Sequence, residues 1–372
     1  MRVLHIMGSA DAGGVEMVVY NYMLNIDQNH IHFDIALTGH QPGMLGKKMV
    51  ELGANIYQLP LKSKGIAAYE HALMDLLSRE HFDIVHVHDN STSYVALRIA
   101  KKCGIACRIA HAHTAGEPRR LRSKLIVQSG HILNKRYATC LMACGSKAGE
   151  LVFGRDVLKK KRVIILPNAV DTEKFRFNSL IREQVHRELN IGSQYVIGMV
   201  GRLDHEKNYQ FILPVIKKLH DYMPNILLII VGRGNQEELL KKYCSDNYMD
   251  DYVKFIGARF DIERIYQVLD ICLLPSLYEG FPVVAIEAIA SGLPVILSDH
   301  ITQELGFSKM VNYLPLEEKK WVDALLKKPI NYNREKGADE IKQYHFDIKD
   351  SAGILQKIYE RAEIRNETNY VV

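Results

Sequence analysis

The chain has 372 residues and a formal net charge of +5, with 47% hydrophobic and 24% charged residues. These fractions are ordinary for a globular protein and exclude a disordered chain. No apolar run approaches the roughly 20 residues that a membrane-spanning helix needs. We expect no signal peptide, because the apolar run Val3–Met7 is too short for its core. The length favours two domains over one.

The first half of the chain alternates between short β-branched runs and longer amphipathic stretches. This alternation predicts parallel strands joined by crossover helices. The predicted helices are Glu16–Asn25, Tyr69–Arg79 and Tyr94–Lys101. The predicted strands are Val3–Met7, His32–Leu37, Asn55–Leu59, Ile84–His88, Arg108–His111, Cys140–Cys144 and Val163–Leu166.

The second half repeats this pattern after a break at Pro167–Asn190, where a polar segment intervenes. The predicted strands are Tyr195–Val200, Ile226–Val231, Val253–Ile256, Ile271–Leu274, Val295–Leu297 and Asn312–Leu314. The predicted helices are Tyr209–Asp221, Gln236–Cys244, Asp261–Leu269 and Val283–Ala290. Because so many strands exceed the usual size of one open sheet, we expect two doubly wound α/β domains, 1–170 and 171–349. A last helix at about 350–372 is expected to pack back on the first domain.

Glycines follow the first strand at a position where ligands of such sheets bind, beyond the carboxyl ends of the strands. Gly13 and Gly14 stand just before the first predicted helix. Glycine permits close backbone approach, and a helix N-terminus offers N–H donors to an anion. The turn therefore indicates a phosphate site, with an ordinary glycine-rich turn as the alternative.

Four histidines end or follow two strands of the first half: His86, His88, His111 and His113. Side chains two residues apart share a face of a strand, so two of the four could converge on a site. The alternative is that each is a hydrogen-bonded core residue.

Six cysteines are too few for a disulfide scaffold. The pairs Cys103/Cys107 and Cys140/Cys144 have a spacing that allows zinc binding, yet both touch apolar strands. Cysteine in such runs behaves as a small hydrophobe, and we expect no metal site.

The first strand of the second half is followed by the loop GRLDHEKN, which carries Arg202 and Lys207. A planar guanidinium and a point-charge ammonium together suit a diphosphate. A solvated charge cluster is the alternative.

The segment SLYEGFPVVAIEA follows an apolar run that reads as a buried strand. Glu279 precedes the predicted helix, and Glu287 lies inside it among apolar residues. Two such carboxylates can accept hydrogen bonds from vicinal sugar hydroxyls, and the free N–H groups after Gly280 can hold phosphate oxygens. A capping glutamate and a solvent-facing glutamate are the alternative roles.

Together these pieces resemble glycosyltransferase family 4, the retaining nucleotide-sugar transferases of the GT-B fold, in the branch that builds bacterial exopolysaccharide or capsule. The motifs run through most of the chain in the family's order, and Glu279 and Glu287 have its E-x7-E spacing. They are GGVE at 13–16, HAHT at 111–114, ILPNAVDTEKF at 165–175, GRLDHEKN at 201–208, VGRG at 231–234, VKFIGA at 253–258 and SLYEGFPVVAIEAIASGLPVI at 276–296.

The resemblance implies two Rossmann-like domains that face a central cleft, and it implies roles for the candidate residues. Catalysis would rest on His113, Arg202, Lys207 and Glu279, with His113 near the anomeric centre and Glu279 on hydroxyls of the transferred sugar. Donor binding would involve Gly13, Gly14, Arg202, Lys207, Ala258, Arg259, Glu279, Gly280, Phe281, Pro282, Val283 and Glu287. No D-x-D motif is present, so we expect no metal cofactor.

The expected reaction transfers a hexose, with retention, from a nucleotide diphosphate sugar, with uridine as the expected base, to a glycan or lipid-linked saccharide. Arg202, Lys207 and a helix N-terminus would stabilise the charge on the leaving nucleotide. Same-face attack is the mechanism that we favour, because no motif supplies a nucleophilic carboxylate. The alternatives are a sugar-nucleotide epimerase or phosphorylase of the same fold, and an inactive transferase-like partner subunit.

The charge is distributed unevenly. Residues 1–180 carry 24 basic and 15 acidic side chains, whereas Arg98–Arg162 alone carries 16 basic and three acidic ones. Within it, Arg119, Arg120, Arg122 and Lys124 interleave with apolar residues, which suits a cytoplasmic protein docked on the anionic inner face of the cell membrane. A solvated basic face is the alternative, and a nucleic-acid partner would leave the donor-site motifs unexplained.

Overall fold

The computed structural model describes residues 1–8, 10, 14–39, 41–114, 116, 121–160, 162–327 and 332–368, with side chains only as far as 362. These residues form two compact units. The first is Met1–Ala169 together with the C-terminal segment from Ile348, and the second is Val170–Asp347.

The first unit contains seven parallel strands within the described residues, in the order β3-β2-β1-β4-β5-β6-β7. They are β1 (Arg2–Met7), β2 (His32–Thr38), β3 (Ile56–Leu59), β4 (Ile84–Val87), β5 (Cys107–Ala112), β6 (Cys140–Ala143) and β7 (Ile164–Ile165). Since β1 and β4 are neighbours although not consecutive, the winding reverses between them. Ligands of doubly wound sheets bind at such a reversal.

The crossover connections of this unit contain helices. They are α1 (Gly14–Asn25), α2 (Met44–Glu51), α3 (Ile66–Arg79), α4 (Ser93–Lys102), α5 (Leu121–Tyr137), α6 (Ser146–Phe153) and α7 (Arg155–Lys159). Val19 and Tyr22 of α1 are buried in the same core as Ile35 and Leu37 of β2. This helix therefore covers the sheet with its apolar side chains.

The second unit repeats this plan with six parallel strands within the described residues, in the order β10-β9-β8-β11-β12-β13. They are β8 (Tyr195–Val200), β9 (Ile226–Val231), β10 (Val253–Phe255), β11 (Ile271–Leu274), β12 (Val295–Ser298) and β13 (Val311–Leu314). All six residues of β9 are apolar and buried, as expected for a strand covered on both faces. The winding reverses between β8 and β11.

Helices again accompany these strands. They are α8 (Thr172–Phe175), α9 (Ser179–Glu188), α10 (Tyr209–Tyr222), α11 (Glu237–Asp246), α12 (Ile262–Val268), α13 (Val283–Ala290), α14 (Glu318–Leu326) and α15 (Gly337–Gln343). Trp321 and Leu325 of α14 are fully buried in the core of this unit.

The C-terminal helix α16 (Ile348–Thr368) belongs to the first unit. Ile348, Ala352, Leu355 and Tyr359 are buried in its core. Their spacing of three and four residues places them on one face of the helix.

The predicted fold class, two doubly wound parallel-sheet domains, is confirmed. No helix in the described part of the chain is both long and apolar enough to cross a bilayer.

Candidate active site

The loops after β8 and β11 meet at the winding reversal of the second unit. A third loop, after β9, also packs closely here. Its Gly232 has φ +141°, and a Cβ at that position would lie 1.9 Å from the carbonyl oxygen of Gly201 after β8, so only glycine allows this close approach. The amide of Leu277 donates to the carbonyl of Glu206 at 2.8 Å, and the Asn208 side-chain amide donates to the carbonyl of Pro275 at 3.2 Å. These bonds fix the two loops against each other.

Lys207 and Glu279 form an ion pair across this junction. The Lys207 ammonium donates to Oε1 of Glu279 at 2.6 Å, and the Ser276 hydroxyl donates to the same oxygen at 2.7 Å. Both charged side chains are mostly buried, with 21% and 14% exposure. The two residues that the sequence placed 72 positions apart are therefore brought together.

Arg202 lies in the same loop and points outward. Its guanidinium pairs with Asp204 at 3.3 Å, and its side chain is 67% exposed. An exposed cation with one loosely held partner can turn to an anionic ligand, because surface ion pairs contribute little stability.

Glu287 is half-buried within α13, and its partner comes from α12. The Tyr266 hydroxyl donates to Oε2 of Glu287 at 2.9 Å. Burial raises the pKa of the Glu287 carboxyl to about 7. The Tyr266 hydrogen bond, which favours the ionised form, opposes this shift.

The start of α13 contains the remaining predicted contacts of the E-x7-E segment. Gly280, Phe281 and Pro282 are buried, and Val283 begins the helix. Pro282 is the N-cap, and its carbonyl accepts from the amides of Ala285 and Ile286. The positive end of the helix dipole at this N-terminus favours an anion.

The turn after β10 contains Ala258 and Arg259, which are both exposed. The Arg259 guanidinium binds both carboxylate oxygens of Asp261, at 2.8 and 2.6 Å. Because Asp261 already balances the charge of Arg259, this turn would bind a ligand through its backbone groups more readily than through the Arg259 side chain.

Gly14 begins α1 in the first unit and is exposed. A Cβ there would meet no atom within 4 Å among the described residues. Gly13 lies outside the described residues.

Five histidines, which we call the histidine cluster, lie at the winding reversal of the first unit, on and after β1, β4 and β5. Ring nitrogens of the pairs His5–His88, His88–His113 and His86–His111 lie 3.0, 2.8 and 3.2 Å apart. The prediction that two of four histidines converge therefore understated the cluster, which contains all four and His5.

Other side chains hold this cluster from outside. Nδ1 of His86 lies 2.7 Å from the Tyr359 hydroxyl of α16. The side-chain oxygen of Asn90 accepts from the backbone amide of His113 at 2.8 Å, which fixes the residue after β5. Burial lowers the pKa of His113 to about 3, so its imidazole is neutral at physiological pH.

Two sets of three histidines in the cluster have ring nitrogens within 4.8 Å of one another, close enough to hold a metal ion. They are His5, His86 and His88, and His88, His111 and His113. Within the described residues no cysteine joins such a group.

Sequence reasoning missed three partners of the candidate residues: His5, Tyr266 and Tyr359. Each lies among apolar residues of a strand or helix, so each reads as part of the core. The one feature of the sequence that could have identified them is a polar atom on an otherwise apolar face, because such an atom needs a hydrogen-bond partner when it is buried.

Helix α5 carries the predicted membrane face. Arg122 and Lys124 are exposed, whereas Arg119 and Arg120 lie outside the described residues. Four large apolar side chains of the same helix are also exposed, Leu121 at 76%, Leu125 at 59%, Ile126 at 39% and Ile132 at 67%. Of the whole helix, only Gly130 and Asn134 are buried.

Family models match both units. The model described as Glycosyltransferase Family 4 matches residues 12–174, and the model described as Glycosyl transferases group 1 matches residues 181–306. Both models describe glycosyltransferases, and together they span most of the chain. The chain is therefore a glycosyltransferase, with a family 4 domain in its first unit and a group 1 domain in its second.

Known relatives and structures agree with this assignment. The chain is 29% identical over 372 residues to a putative glycosyltransferase EpsF of Bacillus subtilis, covering 96% of each chain. It is also 29% identical over 236 residues to a UDP-Gal:alpha-D-GlcNAc-diphosphoundecaprenol alpha-1,3-galactosyltransferase of Escherichia coli, covering 61% of this chain and 60% of that one. The crystal structure of Anabaena Alr3699/HepE in complex with UDP and glucose has a TM-score of 0.80 at 16% identity, covering 97% and 99% of the two chains. The fold is that of the GT-B glycosyltransferases.

Proposed function

We propose that this glycosyltransferase transfers a hexose from a UDP-sugar, with retention, to a saccharide or lipid-linked acceptor in bacterial polysaccharide synthesis. The observation that carries the proposal is the Lys207–Glu279 pair at the winding reversal of the second unit, beside the start of α13. The cation, the carboxylate and the positive end of the helix dipole there match the diphosphate and hydroxyls of such a donor.

Several residues have assigned roles in this proposal. Arg202 and Lys207 bind the diphosphate and stabilise the charge that develops when the glycosyl–phosphate bond breaks. Glu287 accepts hydrogen bonds from ribose hydroxyls, and Glu279 from hydroxyls of the transferred sugar. His113 contacts that sugar as well. The diphosphate contacts are completed by Gly13, Gly14 and the backbone of Gly280, Phe281, Pro282 and Val283, with Ala258 and Arg259 near the base.

The acceptor hydroxyl attacks the anomeric carbon on the face that the diphosphate leaves. Its proton passes to the departing phosphate oxygen as the new glycosidic bond forms. No carboxylate nucleophile is required, and the cationic side chains make a divalent metal unnecessary. The proposal of a uridine donor is supported by the UDP-Gal donor in the name of the E. coli relative. Its diphosphoundecaprenol acceptor supports a lipid-linked saccharide.

We also propose that α5 docks the protein on the inner face of the cell membrane. Exposed Arg122 and Lys124 beside exposed Leu121, Leu125 and Ile132 support this location.

The Lys207→Ala variant tests the donor site. We expect kcat with a UDP-sugar to fall about 100-fold, because a charge-stabilising contact in the transition state is lost. Release of UDP is measured with a panel of UDP-sugars and acceptors in EDTA, where the wild type should remain active. Lys217→Ala is the control, since the Lys217 ammonium bonds only the Asn247 side chain among the described residues. Near-normal turnover of Lys207→Ala, or loss of wild-type activity in EDTA that divalent ions restore, would contradict the proposal.

A further inference from the structure

Three residues of the histidine cluster form a row that leads outward from the interior. His5 Nδ1 lies 3.0 Å from His88 Nε2, and His88 Nδ1 lies 2.8 Å from His113 Nε2. His5 is 1% exposed, whereas His113 is only partly buried. Because each contact needs one N–H and one lone pair, the row restricts the tautomers of all three rings.

The imidazoles of the row are neutral at physiological pH. Burial lowers the pKa of His5 and His113 to about 3, and it lowers the pKa of His88 well below its usual range. A neutral imidazole carries one N–H, so His88 donates to one neighbour and accepts from the other. Only two arrangements satisfy both bonds: all three protons lie on Nδ1, or all three lie on Nε2.

The two arrangements differ in where they leave an unpaired N–H. If all three protons lie on Nε2, the unpaired N–H is that of His5. Its Nε2 is buried without a partner among the described residues, and the ring centroids of His5 and Phe33 lie 4.2 Å apart. Protons on Nδ1 leave the unpaired N–H on His113, whose Nδ1 likewise lacks a partner in the described part of the chain. A buried N–H without an acceptor is costly. Both of these nitrogens are buried, but His113 is the partly exposed residue of the two and lies at the outer end of the row, so a bound ligand can relieve the cost there.

We propose that the row of His5, His88 and His113 holds His113 in its Nδ1–H tautomer, so that it donates a hydrogen bond to an oxygen of the transferred sugar. This inference rests on the proposed function, which assigns His113 to that sugar. His88 and His5 are positioning residues that act through His113. With Nε2 accepting from His88 and Nδ1 protonated, His113 has no free lone pair and does not act as a base.

The other residues of the cluster supply a matched control. His111 stacks on His113 with ring centroids 4.1 Å apart, but its hydrogen bond goes to His86. Phenylalanine at position 111 keeps a ring against His113 and removes no bond of the row. His88→Phe, in contrast, removes both bonds.

The experiment determines the tautomer of His113 by long-range ¹H–¹⁵N correlation in the full-length protein with ¹⁵N-labelled histidine. We expect the proton on Nδ1 of His113 in the wild type and in His111→Phe, and a mixture of tautomers in His88→Phe. A proton on Nε2 of wild-type His113 would overturn the proposal even if no variant folded. An unchanged tautomer in folded His88→Phe would also overturn it, as would a Zn²⁺ ion bound to these rings at one per chain.

Kinetics separate this inference from the proposed function. UDP lacks the transferred hexose, so its dissociation constant should be equal in His88→Phe and the wild type. The kcat with the UDP-sugar that the wild type turns over should fall about 5-fold, the factor that one neutral hydrogen bond contributes. An unchanged kcat would overturn the inference. Failure of the wild type to bind UDP would contradict the proposed function and leave the tautomer measurement standing.

Discussion

At the scale of single residues, Glu287 occupies an environment that disfavours its charge. Its carboxyl lies in an apolar helix with a tyrosine hydroxyl as its hydrogen-bond donor, and its pKa rises to about 7. Between about pH 4.5 and 7, Glu287 is therefore protonated in the folded protein and ionised in the unfolded chain. Stability from this group is fully present at acid pH and decreases as the pH rises through that range.

Glu287→Gln should therefore raise the melting temperature at pH 8 and leave it nearly unchanged at pH 4.5. The amide oxygen still accepts from Tyr266, and no charge remains buried, so a gain of about 2 kcal/mol is expected at pH 8. The same variant should bind UDP more weakly, because a neutral amide accepts ribose hydroxyls less strongly than a carboxylate.

Thermal unfolding at the two pH values and calorimetric titration with UDP test this prediction. Glu318→Gln at the start of α14 is the control, because that carboxyl is 40% exposed and its ion pair with Lys218 lies at the surface, where such pairs contribute little stability. A melting temperature that falls at pH 8, or UDP affinity that does not change, would argue against a functional carboxylate held in an unfavourable site.

The sequence was sufficient to propose Lys207, Glu279, Glu287 and His113 as candidate site residues, because polar residues at strand ends and inside apolar runs are unusual. It could not pair them. The Lys207–Glu279 contact depends on β8 and β11 being neighbours, which follows only from the strand order. Tyr266 was missed because its ring packs among apolar residues and only its hydroxyl reaches Glu287.

At the scale of elements, all thirteen predicted strands lie within about two residues of the observed ones, whereas several helices were missed. Helix α9 fell inside the predicted break because only Val185 is buried in it, so it has no apolar stripe. Its start was still signalled: the Asn178 side chain accepts from the amides of Leu180 and Ile181. Asparagine is a favoured N-cap, so Asn178 marks the start of this helix in the sequence.

Helix α5 exposes several large apolar side chains and buries only Gly130 and Asn134. The double variant Arg122→Glu, Lys124→Glu should bind vesicles of anionic lipid about 30-fold more weakly, since each basic residue near such a surface contributes about 1 kcal/mol. Lys241→Glu, Lys242→Glu on α11 makes the same charge change elsewhere and should leave binding unaltered. Vesicle sedimentation measures both. Equal binding by the two variants would refute docking through α5.

At the scale of the whole molecule, the two units repeat one architecture with different chemistry at the winding reversal. In the first unit the reversal holds neutral imidazoles, and in the second it holds a Lys–Glu pair. Both sheets have the strand order 3-2-1-4-5-6, and the first adds a seventh strand at its edge. This order opens a crevice at the reversal of each sheet, and the side chains at the strand ends determine what that crevice can bind.

The two units also differ in how their cores are assembled, and matched variants test this. Leu355 of α16 and Leu325 of α14 are both fully buried, so replacing either with alanine should cost about 2–5 kcal/mol. Amide hydrogen exchange should accelerate in α1, β1 and β2 for Leu355→Ala, and in α10, β8 and β9 for Leu325→Ala. Acceleration confined to α16 in Leu355→Ala would contradict a shared core.

The contact between Tyr359 and His86 has a consequence for synthesis on the ribosome. Chains emerge from the N-terminus at about 5–20 residues per second, and domains generally fold as they emerge. Here the sheet that carries His86 is translated first, but the residue that caps its ring is 273 positions later. The second unit, contiguous in sequence, can be finished before the first has its full core. A nascent chain must therefore keep its N-terminal half incomplete, and open to chaperones, through almost the entire period of translation.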